Sequence, residues 1–445
     1  MSDASPKPGK TWLERWEPND EAFWQEQGRK FAWRTLILTT ASLVMAFIVW
    51  FVISALVVRL PNAGFDFTSG QLFWLASMPG LAGGTLRVVH TFLTPIFGTR
   101  HVVTFSTLSL LIPLVGWFFA VQNPETPFWI LMVLAFLAGL GGGNFSSFMP
   151  STSLFFPKRL QGTALAIQAG VGNFGVSVVQ FLTPWVIGFA LFGSIFAAPQ
   201  IGPDGEKIWL HNALLIYVPF VVVLSALCWI YLRSVPVRAN LREQFDIFEL
   251  KHGLIMTILY IMTFGSFAGL AATFPLLIRE SYGGFSDSPD PLLYAFIGPL
   301  LGSIMRVVAG PISDRYGGAK VTQVAGLGML ACAIGVSFFL TPESMETFPL
   351  FLGFMLGLFF FSGIGNASTF KQMPMLFPAR QAAGVIGWTS AMAAYGPFAV
   401  GMFFGVSLSL FGRTTEVFYL LATYYAACIL INWWYYARRN APNPC

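Results

Sequence analysis

The sequence predicts an all-α membrane protein with twelve spanning helices arranged as two pseudo-symmetric six-helix halves. Three observations lead there: too few charges for a soluble chain, twelve apolar stretches of membrane-spanning length, and an internal repeat. Of the 445 residues, 55% are hydrophobic and only 10% are charged. A soluble domain carries about 25% charged residues, so most of this surface is expected to face lipid. A helix needs about 20 apolar residues to cross the hydrocarbon core, and each of the twelve stretches meets that length.

In order, the first six spans are predicted at 35–58, 71–96, 102–121, 127–153, 162–192 and 212–232. The second six follow at 253–278, 291–312, 321–340, 347–374, 382–411 and 417–437. Residues 1–34 are polar and read as a cytoplasmic N-terminal segment rather than a signal peptide. The first half then covers 35–232, a polar linker 233–252 joins the halves, and the second half covers 253–445. The repeat supports this division. Gly84-Thr85-Leu86-Arg87-Val88-Val89 recurs as Gly302-Ser303-Ile304-Met305-Arg306-Val307-Val308 on the second helix of each half. On the fourth helices, Gly143-Asn144-Phe145-Ser146-Ser147-Phe148 recurs as Gly365-Asn366-Ala367-Ser368-Thr369-Phe370. In each half a glycine (Gly162, Gly384) follows that asparagine at the same spacing.

Charge placement sets the topology. With a cytoplasmic N-terminus, 18 of the 25 Lys and Arg fall in inner segments and four in outer loops, which obeys the positive-inside rule with both termini inside. Arg87, Arg306 and Lys371 fall within predicted spans. All 20 Asp and Glu fall outside them. This distribution also accounts for the net charge of +5 without a nucleic-acid partner. An arginine at mid-membrane costs roughly 2.5–3.5 kcal/mol on insertion scales. Two at equivalent positions, with no buried acid, make sense if an anion completes the charge balance. Guanidinium keeps its proton and offers a planar fork to a planar oxyanion.

Around them lie glycine-rich segments suited to close helix contact, 140–147 and 169–175, and a buried amide, Asn173, that needs hydrogen-bond partners. The four cysteines stand singly, which gives neither a disulfide framework nor a metal site. No paired acids, histidine cluster or phosphate-cradling loop points to an enzyme, and no cofactor is expected.

At these residues the chain resembles the NarK-like nitrate/nitrite porter family of the major facilitator superfamily. The resemblance runs from Trp16-Glu17-Pro18 to the last helix. It is most specific in Gly142 to Phe148, Phe156-Pro157-Lys158, Gly170 to Ser177 and Gly363 to Phe370. The segment Gly310 to Lys320 resembles the superfamily's loop between second and third helices, whereas Pro95 to Arg100 lacks its acid. The resemblance implies that Arg87 and Arg306 clamp the substrate and that Asn173 hydrogen-bonds it. It implies that Tyr260, Phe264 and Phe145 are pocket aromatics. Ala169 and Ala393 stand where exchanger-type members have glycines, and Lys371 stands where they have a neutral residue.

The expected partners are therefore the lipid bilayer, nitrate or nitrite, and protons, handled by a monomer in a bacterial inner membrane. Alternating access would rock the two halves about the arginine pair. Missing carboxylates favour nitrate/nitrite antiport, whereas Ala169, Ala393 and Lys371 tip the expectation to nitrate/proton symport. Lys371 and His90, one turn after Arg87, are the candidate coupling groups. An organic-anion exchanger of the same fold is a further alternative, disfavoured by the aromatic, glycine-rich surroundings.

Overall fold

The structure is a computed structural model, and it describes residues 11–191, 196–202, 205–235, 251–377 and 379–445, without the side chains of 379–383. Most of the expected linker therefore lies outside the described residues, as do the first ten residues of the N-terminal segment. Among the described residues, eleven helical stretches are long and apolar enough to cross a membrane. One of these, Ser69–Ala120, is 52 residues long. At about 1.5 Å per residue that is more than twice the hydrocarbon thickness. It divides at Gly98, whose φ of 76° and ψ of 157° end the helical path, so it supplies two spans and the total is twelve.

The spans are α1 (Glu21–Leu56), α2 (69–97), α3 (99–120), α4 (Phe128–Ser153), α5 (Lys158–Ile187) and α6 (Asn212–Tyr231). The second six are α7 (Lys251–Tyr282), α8 (Pro291–Tyr316), α9 (Gly318–Ser337), α10 (Met345–Leu376), α11 (Gly384–Phe411) and α12 (Thr415–Ala437). Eleven of the twelve agree with the apolar stretches to within a few residues at each end. The exception is α1, which starts at Glu21, well before the predicted span. Asp20 caps its first turn by accepting from the Ala22 and Phe23 amides.

The repeat is visible in the backbone. Gly98 follows Arg87 at the same spacing as Gly317 follows Arg306. Both glycines have positive φ, at 76° and 91°, and both separate the second span of a half from the third. A side chain at either would be strained in that conformation. Each is also covered by a terminal segment. A Cβ on Gly98 would meet Ser234 and Trp12, and one on Gly317 would touch Cys445.

Four helices make most of the contact between the halves: α2 packs on α11, and α5 packs on α8, its counterpart pair under the repeat. The contacts are concentrated at the end that carries the α1–α2 and α7–α8 connections. There Arg59 pairs with Asp290, and the Arg279 guanidinium donates to the Val58 carbonyl at 3.1 Å. Deeper in, Gln180 donates to the Ala271 carbonyl at 2.8 Å, and the Phe181 and Phe296 rings lie 5.0 Å apart. Toward the other end α5 and α8 still touch where a Gly170 Cβ would meet Val307, whereas a Cβ on Gly162 or Gly310 would have nothing within 4 Å.

Candidate functional site

Several helices lose their regular path within the bundle, and three of them meet around one cluster. α4 is interrupted at Asn144, between Leu140–Gly143 and Phe145–Ser153. Its run of glycines, each a poor helix former, allows the interruption. α7 contains a π turn at Ile261–Gly265, a feature often found at functional sites. α11 breaks between Ala393 and Gly396. Pro397 has no N–H, so the Ala393 carbonyl has no helical partner there.

These irregular segments surround Arg87 and Arg306. Arg87 is fully buried, and Arg306 is 7% exposed. The Arg87 Nε donates to the Gly142 carbonyl at 2.9 Å and its Nη1 to the Ser390 carbonyl at 2.7 Å. Each carbonyl stands beside an interruption, in α4 or in α11. The Arg87 guanidinium carbon lies 4.6 Å from the centre of the Phe145 ring, and 5.3 Å from those of Trp50 and Phe264. Its Nη2 has no partner among the described residues.

Arg306 is held more loosely. Its Nη2 reaches the Tyr260 hydroxyl at 3.4 Å, and its Nη1 has no partner among the described residues. Its guanidinium carbon is 5.5 Å from the Phe370 ring centre and 5.8 Å from that of Phe264. One phenyl ring, Phe264, therefore serves both cations. Tyr260 stacks on it at 5.5 Å with an interplanar angle of 6°. Desolvated cation–π contacts of this kind contribute on the order of 2 kcal/mol. The two fixed positive charges thus face aromatic surface, and each keeps one N–H-bearing nitrogen unspent.

Asn173 is 1% exposed, and neither its Nδ2 nor its Oδ1 has a partner among the described residues. It lies one turn beyond Gly170, whose face meets Val307 of α8, next to Arg306. Ala169 and Ala393 are buried as well. Ala393 sits at the α11 break, its carbonyl 3.5 Å from where a Gly265 Cβ would stand in the π turn. The structure thus brings Arg87, Arg306, Tyr260, Phe264 and Phe145 into one cluster.

The two candidate coupling residues have other partners. His90 is buried between α2 and α4, its Nδ1 2.8 Å from the Ser147 hydroxyl. Lys371 is exposed and ion-paired with Asp314, which belongs to the last turns of α8 rather than to a loop. The predicted span 291–312 ends too early to include that acid, and the pairing gives Lys371 a local counter-charge that neither arginine has.

Sequence reasoning missed Trp50, Phe370 and Ser390. Phe370 was within reach, because it closes the repeated motif that begins at Gly365. Trp50 carried no signal beyond its hydrophobicity. Ser390 contributes only its carbonyl, which no side-chain pattern announces.

The sequence matches the Major Facilitator Superfamily over residues 38–374. It is 61% identical over 439 residues to a protein of Thermus thermophilus named probable nitrate/nitrite antiporter NarK2, covering 98% of each chain. It is 36% identical to the nitrate/nitrite transporter NarU of Escherichia coli K12, covering 96% of each. A crystal structure of a D-xylose–proton symporter superposes with a TM-score of 0.68 over 93% of this chain and 98% of that one. At 14% identity that likeness speaks for the fold alone.

Proposed function

From the premise that the chain belongs to the nitrate/nitrite porter family of the major facilitator superfamily, we propose that it carries nitrate and nitrite by alternating access, exchanging one for the other. One observation carries the reading: two buried guanidiniums from equivalent helices share the Phe264 ring, and each keeps a nitrogen without a partner among the described residues. A small planar oxyanion can accept from both free nitrogens and from the Asn173 amide. In doing so it supplies the negative charge that the cluster lacks.

In this reading the end closed by Arg59 and Asp290 is the outer one, and the opposite end opens to the cytoplasm. Both termini are then cytoplasmic, and the carrier works as a monomer in a bacterial inner membrane. An anion bound between Arg87 and Arg306 screens their repulsion and lets the halves close upon it. Without an anion the two charges resist that closure, so the empty carrier reorients slowly and exchange is favoured over net flux.

Proton symport, the expectation drawn from Ala169, Ala393 and Lys371, requires a titratable group coupled to the site. His90 is engaged with Ser147 and Lys371 with Asp314, which supports exchange as the first reading. Counterflow of labelled nitrite against nitrate in proteoliposomes, with and without a pH gradient, decides between them. Exchange predicts rapid counterflow that ignores the gradient. Accumulation driven by the gradient, with no need for internal anion, would overturn it.

A further inference from the structure

Asn366 is completely buried in α10, and neither atom of its amide has a hydrogen-bond partner among the described residues. Burying an amide in that condition is costly, and native proteins rarely leave both ends unmet. Its first-half counterpart, Asn144, donates from Nδ2 to the Ser106 carbonyl at 3.3 Å.

The direction in which Asn366 faces follows from its neighbours on the helix. Phe359 packs on Phe267 and Phe274 of α7, with ring centres 5.9 and 5.6 Å apart. A Cβ on Gly363 would collide with the Gly302 carbonyl of α8, one turn before Arg306. Phe370 lies under the Arg306 guanidinium. Residues three to four apart share a helix face, so Asn366 continues this stripe into the groove between α7 and α8. The face toward α9 is a different one, occupied by Ser368 and Gln372, which both bond Thr322.

We infer that Asn366 is a further anion-site residue: its Nδ2 donates to the bound oxyanion, and its Oδ1 accepts from the free Nη1 of Arg306 and fixes the plane of that guanidinium. The inference rests on the anion site proposed above. Asn173 supplies an amide from the first half, and Asn366 supplies one from the second. A buried amide with no partner in the empty carrier acquires two when the anion binds. Asn366 thereby does for Arg306 what the Gly142 and Ser390 carbonyls do for Arg87.

The test uses full-length carrier, with thermal melting in detergent with and without sodium nitrate (sodium chloride as control) and nitrate counterflow in liposomes. Asn366→Leu removes an unpaired amide, so the empty protein is expected to melt at or above the wild-type temperature. Its half-saturating nitrate concentration should rise roughly tenfold, the loss of one hydrogen bond to a charged group. Asn366→Asp gives Arg306 a permanent counter-charge, so this variant should fold, resist melting and show no further stabilisation by nitrate. Wild-type nitrate dependence in Asn366→Leu, or a lowered melting temperature with unchanged half-saturation, would show a structural amide and overturn the inference. If the wild-type carrier itself neither exchanges nitrate nor is stabilised by it, the anion site fails, and Asn366 with it. Wild-type activity that survives only the Asn366 changes sinks this inference alone.

Discussion

Arg87 and Arg306 occupy equivalent positions in the repeat, yet they are held in unequal ways. Two backbone carbonyls and three aromatic rings fasten Arg87, whereas Arg306 has one long contact to a phenol and two rings. The helices explain the difference. Aligning Asn144 with Asn366 and Gly162 with Gly384 sets Gly142 opposite Ile364 and Ser390 opposite Gln168. Gly142 stands beside the α4 interruption, where its carbonyl has no backbone partner among the described residues. The Ser390 carbonyl, in the last turn before the α11 break, accepts from Arg87 as well as from the Ala394 amide. Ile364 and Gln168 lie within the unbroken helices Phe348–Leu376 and Lys158–Ile187, whose carbonyls are taken by the turn that follows. Duplication supplied two arginines, and the Gly142 and Ser390 carbonyls beside the α4 and α11 breaks made the first a fixed post. The second remains free to respond.

Replacing each arginine with lysine should have the largest effect and should break the symmetry. Both variants are expected to lose at least roughly a hundredfold in nitrite counterflow, because lysine keeps the charge but not the planar fork. Stability should separate them. Arg87→Lys loses bonds that tie α2 to α4 and to α11, each on the order of 1.5–3 kcal/mol for a charged donor. Its melting temperature without anion should therefore fall. Arg306→Lys gives up one long contact and should melt close to wild type. Equal destabilisation by the two changes would refute the fastened-and-free distinction.

The next effect tests the cause. A Cβ on Gly142 would lie 2.7 Å from the Trp50 indole and 2.8 Å from the Gly83 Cα. Gly142→Ala must therefore push α4 away from α1 and α2, and it carries off the carbonyl that orients Arg87. A loss of about 1–3 kcal/mol in stability is expected from such overpacking, together with a raised nitrate half-saturation. The equivalent change at Ile364, to Ala, should leave Arg306 and nitrate affinity nearly untouched, since no arginine bond depends on that carbonyl. Binding titrations on the pair would check both.

How much of this was legible beforehand follows from the kind of signal each feature leaves. Twelve spans could be counted because hydropathy sums over about twenty residues, and the arginine pair stood out because charge is rare in such stretches. The mismatch at α1 arises because Glu21 to Arg34 is polar yet helical, and hydropathy is silent on the difference. The interruptions in α4, α7 and α11 were not legible as such. Glycines and Pro397 hint at them, but Gly363 and Gly365 sit in α10, which stays continuous. Tertiary contact decides which weak helix breaks, and a single sequence does not contain it. For the same reason Lys371 looks akin to the arginines in the sequence, although Asp314 stands beside it in the fold.

Aromatic contacts sharpen the comparison by smaller amounts. The repeat's aromatic under Arg87 is Phe145, where the second half has Ala367; the one under Arg306 is Phe370, where the first half has Phe148. Because Arg306 has fewer other contacts, Phe370→Leu should raise the nitrate half-saturation more than Phe145→Leu does. About 1–2 kcal/mol, or roughly five- to thirtyfold, is the range for a desolvated cation–π contact. Nitrate titration followed by Trp fluorescence would read both variants.

The smallest change concerns Tyr260. Among the described residues its hydroxyl is the single hydrogen-bond partner of Arg306, at 3.4 Å, a distance near the limit for such a bond. Its ring, by contrast, stacks on Phe264, the phenyl shared by both cations. If the ring is the part that matters, Tyr260→Phe should keep the stack and cost about 0.5–1 kcal/mol of nitrate affinity, the lower end for a hydrogen bond. Tyr260→Leu, which removes the stack, should cost more and should weaken the site around Arg87 as well as Arg306 through the loss of Phe264's orientation. A Tyr260→Phe carrier as impaired as Tyr260→Leu would mean that the hydroxyl tightens onto Arg306 or the anion when the site is occupied. The loosely held arginine would then be fixed by substrate binding, and the difference between the two halves would exist only in the empty carrier.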